Sequence, residues 1–126
     1  MKQLTGSEKI LAESEKYYIV GEYEEASLYR KADDKYICSV GHHYGDPTDA
    51  LIDRNDKFCI VVGCGVIVYR LQEPFLSYMY DKETEQWYEF GRDPENVDWI
   101  KSVSQISDDK VELVDEDNNR RILQIS

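Results

Sequence analysis

Three stretches of this 126-residue chain share one pattern, and that repetition limits what it can fold into. Residues 10–31 read ILAESEKYYIVGEYEEASLYRK, residues 50–71 read ALIDRNDKFCIVVGCGVIVYRL, and residues 104–126 read SQISDDKVELVDEDNNRRILQIS. Each opens on apolar residues, crosses a polar turn, runs through an apolar strand and doubles back. A single hairpin cannot bury its own apolar face, so such units must stack on or pair with one another. Gly45-Asp46-Pro47 and Arg92-Asp93-Pro94 add a shorter echo ahead of the last two stretches.

The local patterns are those of strands. Tyr17–Val20 is aromatic and β-branched and ends at Gly21. Ala26–Lys31 returns with Ala26 and Leu28 on one face, and Tyr36–Val40 follows after a polar turn. Phe58–Leu71 is apolar on both faces, broken only by Gly63-Cys64-Gly65. Strands of that kind must be covered on two sides. Phe75–Tyr80 alternates, as does Gln86–Phe90, which predicts a hairpin pairing Tyr78 and Tyr80 with Trp87 and Tyr88. Trp99–Ile106 is read as a strand with Ile100 and Ile106 inward, and residues 110–125 as a last hairpin around Asp115–Asn119. Only the N-terminal residues, about Ser7–Ser14, offer a short helix, the alternative being that Leu4 and Ile10-Leu11 lead into the first strand.

The fold expected is all-β: one domain, an antiparallel meander of nine or ten short strands in an open or rolled sheet or sandwich. The hairpin units resemble propeller blades. Two and a half of them cannot close a ring of the usual four to eight, and no Trp-Asp or kelch signature is present.

Charge narrows the partners. Fifteen Lys and Arg face 26 Asp and Glu, a net charge of −11, and no basic run occurs. Phosphate backbones and anionic lipid would be repelled, which argues against nucleic acid and membrane and for a protein with a basic surface. Residues after Met1-Lys2 are polar rather than apolar, so no leader is expected. Cys38, Cys59 and Cys64 are odd in number and lack a C-x-x-C pair, the usage of a reduced cytoplasmic protein.

Two constellations bear on chemistry. His42-His43-Tyr44-Gly45-Asp46 holds both histidines of the chain. Adjacent strand residues point to opposite faces, so the pair cannot chelate one ion together, and a ligand site would need Asp46 or another carboxylate as well. Cys64 stands on a glycine turn, where a nucleophile could be presented, but its sequence neighbours supply no base. No phosphate loop, dinucleotide fingerprint or zinc-finger spacing occurs, so no cofactor or metal is expected. The first expectation is therefore a non-enzymatic protein-binding protein, such as an immunity or inhibitor protein covering a basic toxin active site. It would dock through Glu22, Tyr23, Glu24 and Glu25 at one hairpin tip and through an aromatic face of Tyr78, Tyr80 and Trp87. The second is a small-molecule or metal-binding protein or enzyme using His42, His43, Asp46 and Cys64. The third is an accessory domain forming a homodimer.

Overall fold

The computed structural model describes residues 1–125, so Ser126, which ends the third stretch, lies outside it. Its strands are β1 (Glu8–Glu13), β2 (Tyr17–Glu22), β3 (Glu25–Arg30), β4 (Lys35–His42), β5 (Asp49–Ile52), β6 (Phe58–Gly63), β7 (Gly65–Arg70), β8 (Trp87–Phe90), β9 (Arg92–Asp93), β10 (Asn96–Val97), β11 (Ile100–Ser107), β12 (Lys110–Asp115) and β13 (Arg120–Gln124). The protein is all-β. Each strand pairs antiparallel with its sequence neighbour, giving sheets β1-β2-β3-β4, β5-β6-β7-β8 and β11-β12-β13, with β9-β10 as a small separate hairpin. β5 packs against β1 and also against β11. The leading edges of the three sheets thus meet at the central one.

This stacking explains the two-faced apolar run. Cys59, Val61, Ile67 and Tyr69 point from the central sheet into a core shared with Ile19, Ala26, Leu28, Cys38 and Val40 of the first sheet. Phe58, Ile60, Val62, Val66 and Val68 point the other way, against Ile100, Val103, Val111 and Leu113 of the third. A strand pair covered by protein on both sides has no face to offer water, so its sequence does not alternate. The third sheet shows the converse. β12 turns Val111 and Leu113 inward, while Ile122 on β13 is exposed opposite Glu112.

Four expectations are corrected. Residues 8–13 form β1 rather than a helix, and no helix occurs among the described residues. Ile10 and Ala12 register on Val20 and Ile19 across a bulge, so a sheet edge takes up the backbone groups that a short helix would satisfy internally. Among the described residues thirteen strands form instead of about nine or ten; β9 and β10, two residues each, are too short to leave a period in the sequence. Ile106 is exposed rather than inward, because the β11–β12 register slips between Ile100 and Ser102, which puts Val103 on the inward face with Ile100, and Ile106 on the other.

Phe75–Tyr80 is the fourth. It is not a strand, and β7 pairs directly with β8, Tyr69 opposite Trp87. The segment lies on the free edge of β4: the Tyr78 N–H donates to the Ser39 carbonyl at 2.9 Å, and the Ser39 N–H donates to Ser77 Oγ at 3.1 Å. The Tyr69 hydroxyl donates to the Leu76 carbonyl. Covering an edge strand satisfies its backbone and blocks pairing with other chains. The Tyr78 ring then drops into the core against Trp87, ring centres 5.3 Å apart. No helix among the described residues is long and apolar enough to cross a membrane.

Candidate functional site

One end of the sheets gathers the residues that carry chemistry. Glu22 pairs with Glu25 around the Tyr23-Glu24 turn, and Glu25 pairs with His42 at the end of β4. Gly63 faces Gly65 across the single residue Cys64, which bridges to Trp99 just before β11. The β9-β10 hairpin closes over this corner. Gly65 permits it. Its φ is +81°, and a Cβ there would lie 2.7 Å from the Phe90 carbonyl oxygen and 2.9 Å from that of Gly91.

Arg92 ties the corner together. Its NH1 donates to the Cys64 carbonyl at 2.9 Å and its NH2 to the His42 carbonyl at 2.6 Å. Its Nε faces Glu89 Oε1 at 2.8 Å as an ion pair, although the N–H is not aligned for a hydrogen bond. Glu89 also accepts the Tyr78 hydroxyl at 2.8 and 3.0 Å. Burial, and then that carboxylate, push the Tyr78 phenol well above its ordinary pKa. The charge of Arg92 is therefore compensated by one carboxylate and two carbonyls.

Beside this clamp opens a cleft of about 610 Å³, lined by Glu24, His42, His43, Tyr44, Cys64, Tyr80, Arg92, Pro94, Val97 and Trp99. The histidines diverge as strand alternation requires. His42 is exposed, its Nδ1 3.4 Å from Glu25 and its Nε2 4.0 Å from Glu24. His43 has no exposed surface. Its backbone N–H donates to the Glu24 carbonyl at 2.8 Å, and its ring packs over Gly41. Neither ring nitrogen makes a well-aligned hydrogen bond among the described residues, although the Val61 carbonyl lies near the ring. Burial, with the positive charge of Arg92 second, holds the His43 pKa down at about 3; the Val61 carbonyl opposes this only in part. The ring is neutral at physiological pH.

The rim is aromatic. Tyr44, Tyr80 and Trp99 are 79%, 62% and 43% exposed. Among the described residues none of the three stacks on another ring or carries a protein cation on its face. Other aromatics of the chain are engaged: Tyr18 stacks on Tyr29, Tyr69 on Trp87, and Lys2 sits over Tyr29. A second, more polar cleft of about 530 Å³ adjoins on the far side of Trp99, between the Asp98–Arg121 ion pair and the Asp115–Asn119 turn. In that turn the Asp115 carboxylate accepts the N–H groups of Asp117 and Asn119. This self-satisfied Asx turn is built to close a hairpin.

The residues singled out from sequence are thus partly brought together. Glu22–Glu25 and Tyr80 lie at this end, and His42, His43 and Cys64 share the cleft. Asp46 is exposed and outside the cleft lining. Its carbonyl, not its carboxylate, approaches Gly63. Tyr78 and Trp87 do not form a binding face. Both are core residues, because the segment carrying Tyr78 folds onto β4 instead of pairing with β8. The Cys64 thiol is buried and makes no hydrogen bond to either imidazole among the described residues, and no group of three or more His, Cys, Asp or Glu among them is placed to hold a metal ion. Arg92 and Trp99 were not legible as site residues, although the Arg92-Asp93-Pro94 echo marked that corner; Tyr44 stood within the histidine stretch without a role of its own. No family model matches the chain, and no curated protein matches it.

Proposed function

We propose that this chain is a non-enzymatic binding protein that docks a basic protein partner through the end bearing the Glu22–Glu25 tip and the Tyr44–Tyr80–Trp99 cleft. The observation that carries this reading is the set of exposed, unstacked rings beside acidic side chains. Large aromatic groups left in water at one place are the composition of an interface centre. Glu22, Glu24 and Glu25 supply a negative field next to them, and the net charge of −11 steers a basic partner toward the protein at a distance. In its most concrete form the protein is an inhibitor or immunity protein, with carboxylates standing in for phosphates in the active-site cleft of a basic enzyme such as a nuclease. A cytoplasmic setting suits the three free, buried thiols.

The test is capture of basic proteins from the source cell lysate by the immobilised chain across a salt series, alongside Tyr80→Ala and Tyr36→Ala. Tyr36 is an exposed ring on β4, at the opposite end of that strand from His42. A basic partner retained at low salt, released as salt rises, held by Tyr36→Ala and lost by Tyr80→Ala is the expected result. Recovery of no basic partner, or equal retention by both variants, overturns the reading.

A further inference from the structure

We propose that the Tyr44–Tyr80–Trp99 cleft is a socket for one cationic side chain, lysine or arginine, presented by the basic partner. This rests on the docking reading above and goes further, because it assigns the chemistry of the group that enters.

Four features of the cleft select a cation. The first is the three ring faces, exposed and without a ring or cation partner of their own. An ammonium or guanidinium placed over such faces is held by the ring quadrupoles, and more strongly as water is displaced. The second is Glu24. Its Oε2 accepts the Gly45 N–H at 2.7 Å, while among the described residues its Oε1 has only the exposed His42 ring, 4.0 Å away, so acceptor capacity remains. The third is that the cation already present is held elsewhere: Arg92 faces Glu89 and donates to two carbonyls, so its charge is compensated in part.

The fourth is His43, which lines the same cleft as a buried, neutral ring and so adds no positive charge to oppose a cation.

Other occupants fit worse. An anion would meet Glu24 and the negative field. An uncharged apolar side chain would desolvate Glu24 without pairing it. A second copy of this chain would bring one strongly acidic surface against another.

The experiment is an NMR titration of the ¹⁵N-labelled full chain with three peptides, Gly-Ser-Gly-X-Gly-Ser-Gly, where X is lysine, arginine or acetyl-lysine, and with decalysine. The expected result is saturable shifts at the Trp99 indole N–H and at the amides of Glu24 and Tyr44. The cationic peptides should bind at least about tenfold more tightly than the acetyl-lysine peptide. Tyr80→Ala, whose ring belongs to a loop, should weaken that binding about tenfold, and Trp99→Ala likewise where its amide spectrum stays dispersed. Acetyl-lysine binding as well as lysine overturns the socket. So does decalysine shifting the Glu22–Glu25 amides with an affinity indifferent to Tyr80→Ala, in which case docking at that end is decided by the lysate capture alone. If decalysine produces no shift at this end at all, both readings fall.

Discussion

His43 should make this protein lose stability on mild acidification, well before its carboxylates begin to protonate. In the unfolded chain an imidazole titrates near 6.5; in the fold burial and the Arg92 charge hold His43 down at about 3. The folded state therefore binds fewer protons than the unfolded state between those two values. Stability rises with pH wherever the unfolded state binds more protons, so this contribution is intact above 6.5 and is lost as pH falls below it. The slope approaches about 1.36 kcal/mol per pH unit, which amounts to a loss of about 2 kcal/mol on going from pH 8 to pH 5. That is a sizeable share of the few kcal/mol that hold a domain of this size together. Glu8, Asp33, Asp109 and Asp115, whose pKa values are lowered by hydrogen bonds and ion pairing, act in the same direction, but only once pH falls below their ordinary values of 4.5 and 3.8. The window from pH 8 to 5 therefore isolates the histidine. The assay is urea unfolding at half-unit pH steps for the parent chain and for His43→Leu, which keeps the volume and removes the titration. The parent should lose about 2 kcal/mol across the window while the variant stays nearly flat. The Cε1 proton of His43 should not shift over this range by NMR. Parallel stability curves for the two proteins, or a His43 resonance that titrates near 6.5, would refute the account of a sealed, uncompensated imidazole.

Arg92→Ala should cost about 3 kcal/mol in the same unfolding assay, because it strands a partly buried Glu89 and leaves the His42 and Cys64 carbonyls without their donor. Gly65→Ala should destabilise by a similar amount, about 3 kcal/mol, since a positive φ is combined with a Cβ set against the Phe90 and Gly91 carbonyls. Ile60→Ala, in the centre of the middle sheet, should cost roughly 2–5 kcal/mol by leaving a cavity between two packed layers, while Ile122→Ala on the outer face of the third sheet should change stability by less than about 0.5 kcal/mol. Equal losses at these two isoleucines would contradict the layer order.

Much of this architecture is visible in the order of residues, and particular elements show where legibility ends. Val61 and Ile60 are both apolar and adjacent, which requires cover on both faces of their strand, and the first and third sheets provide it. The divergence of His42 from His43 follows from strand alternation alone and is what the fold shows. Alternation misleads at Phe75–Tyr80. There the local pattern is that of a strand, but a free edge at Ser39, 38 positions from Ser77, lies close by in space and takes the segment up, while the segment's own Leu76 carbonyl accepts the Tyr69 hydroxyl. Ile106 misleads for a related reason, since a bulge is set by the partner strand's register and not by the residue's own neighbours.

The cleft marks the same division. Local chemistry, which acts over a few residues, fixed the strands, the turns, the acidic balance and the two-sided centre. Which rings stay in water was decided across the fold: Trp87 is sealed by Tyr78, 9 positions away, whereas Trp99 is left at a rim where β4, the Cys64 turn and the β9-β10 hairpin converge. Arg92 became the clamp because its partners, His42 and Cys64, arrive from 50 and 28 residues away. Long-range packing of that kind leaves no period in a linear sequence, because a side chain's partners are chosen by how whole sheets stack and not by its neighbours along the chain.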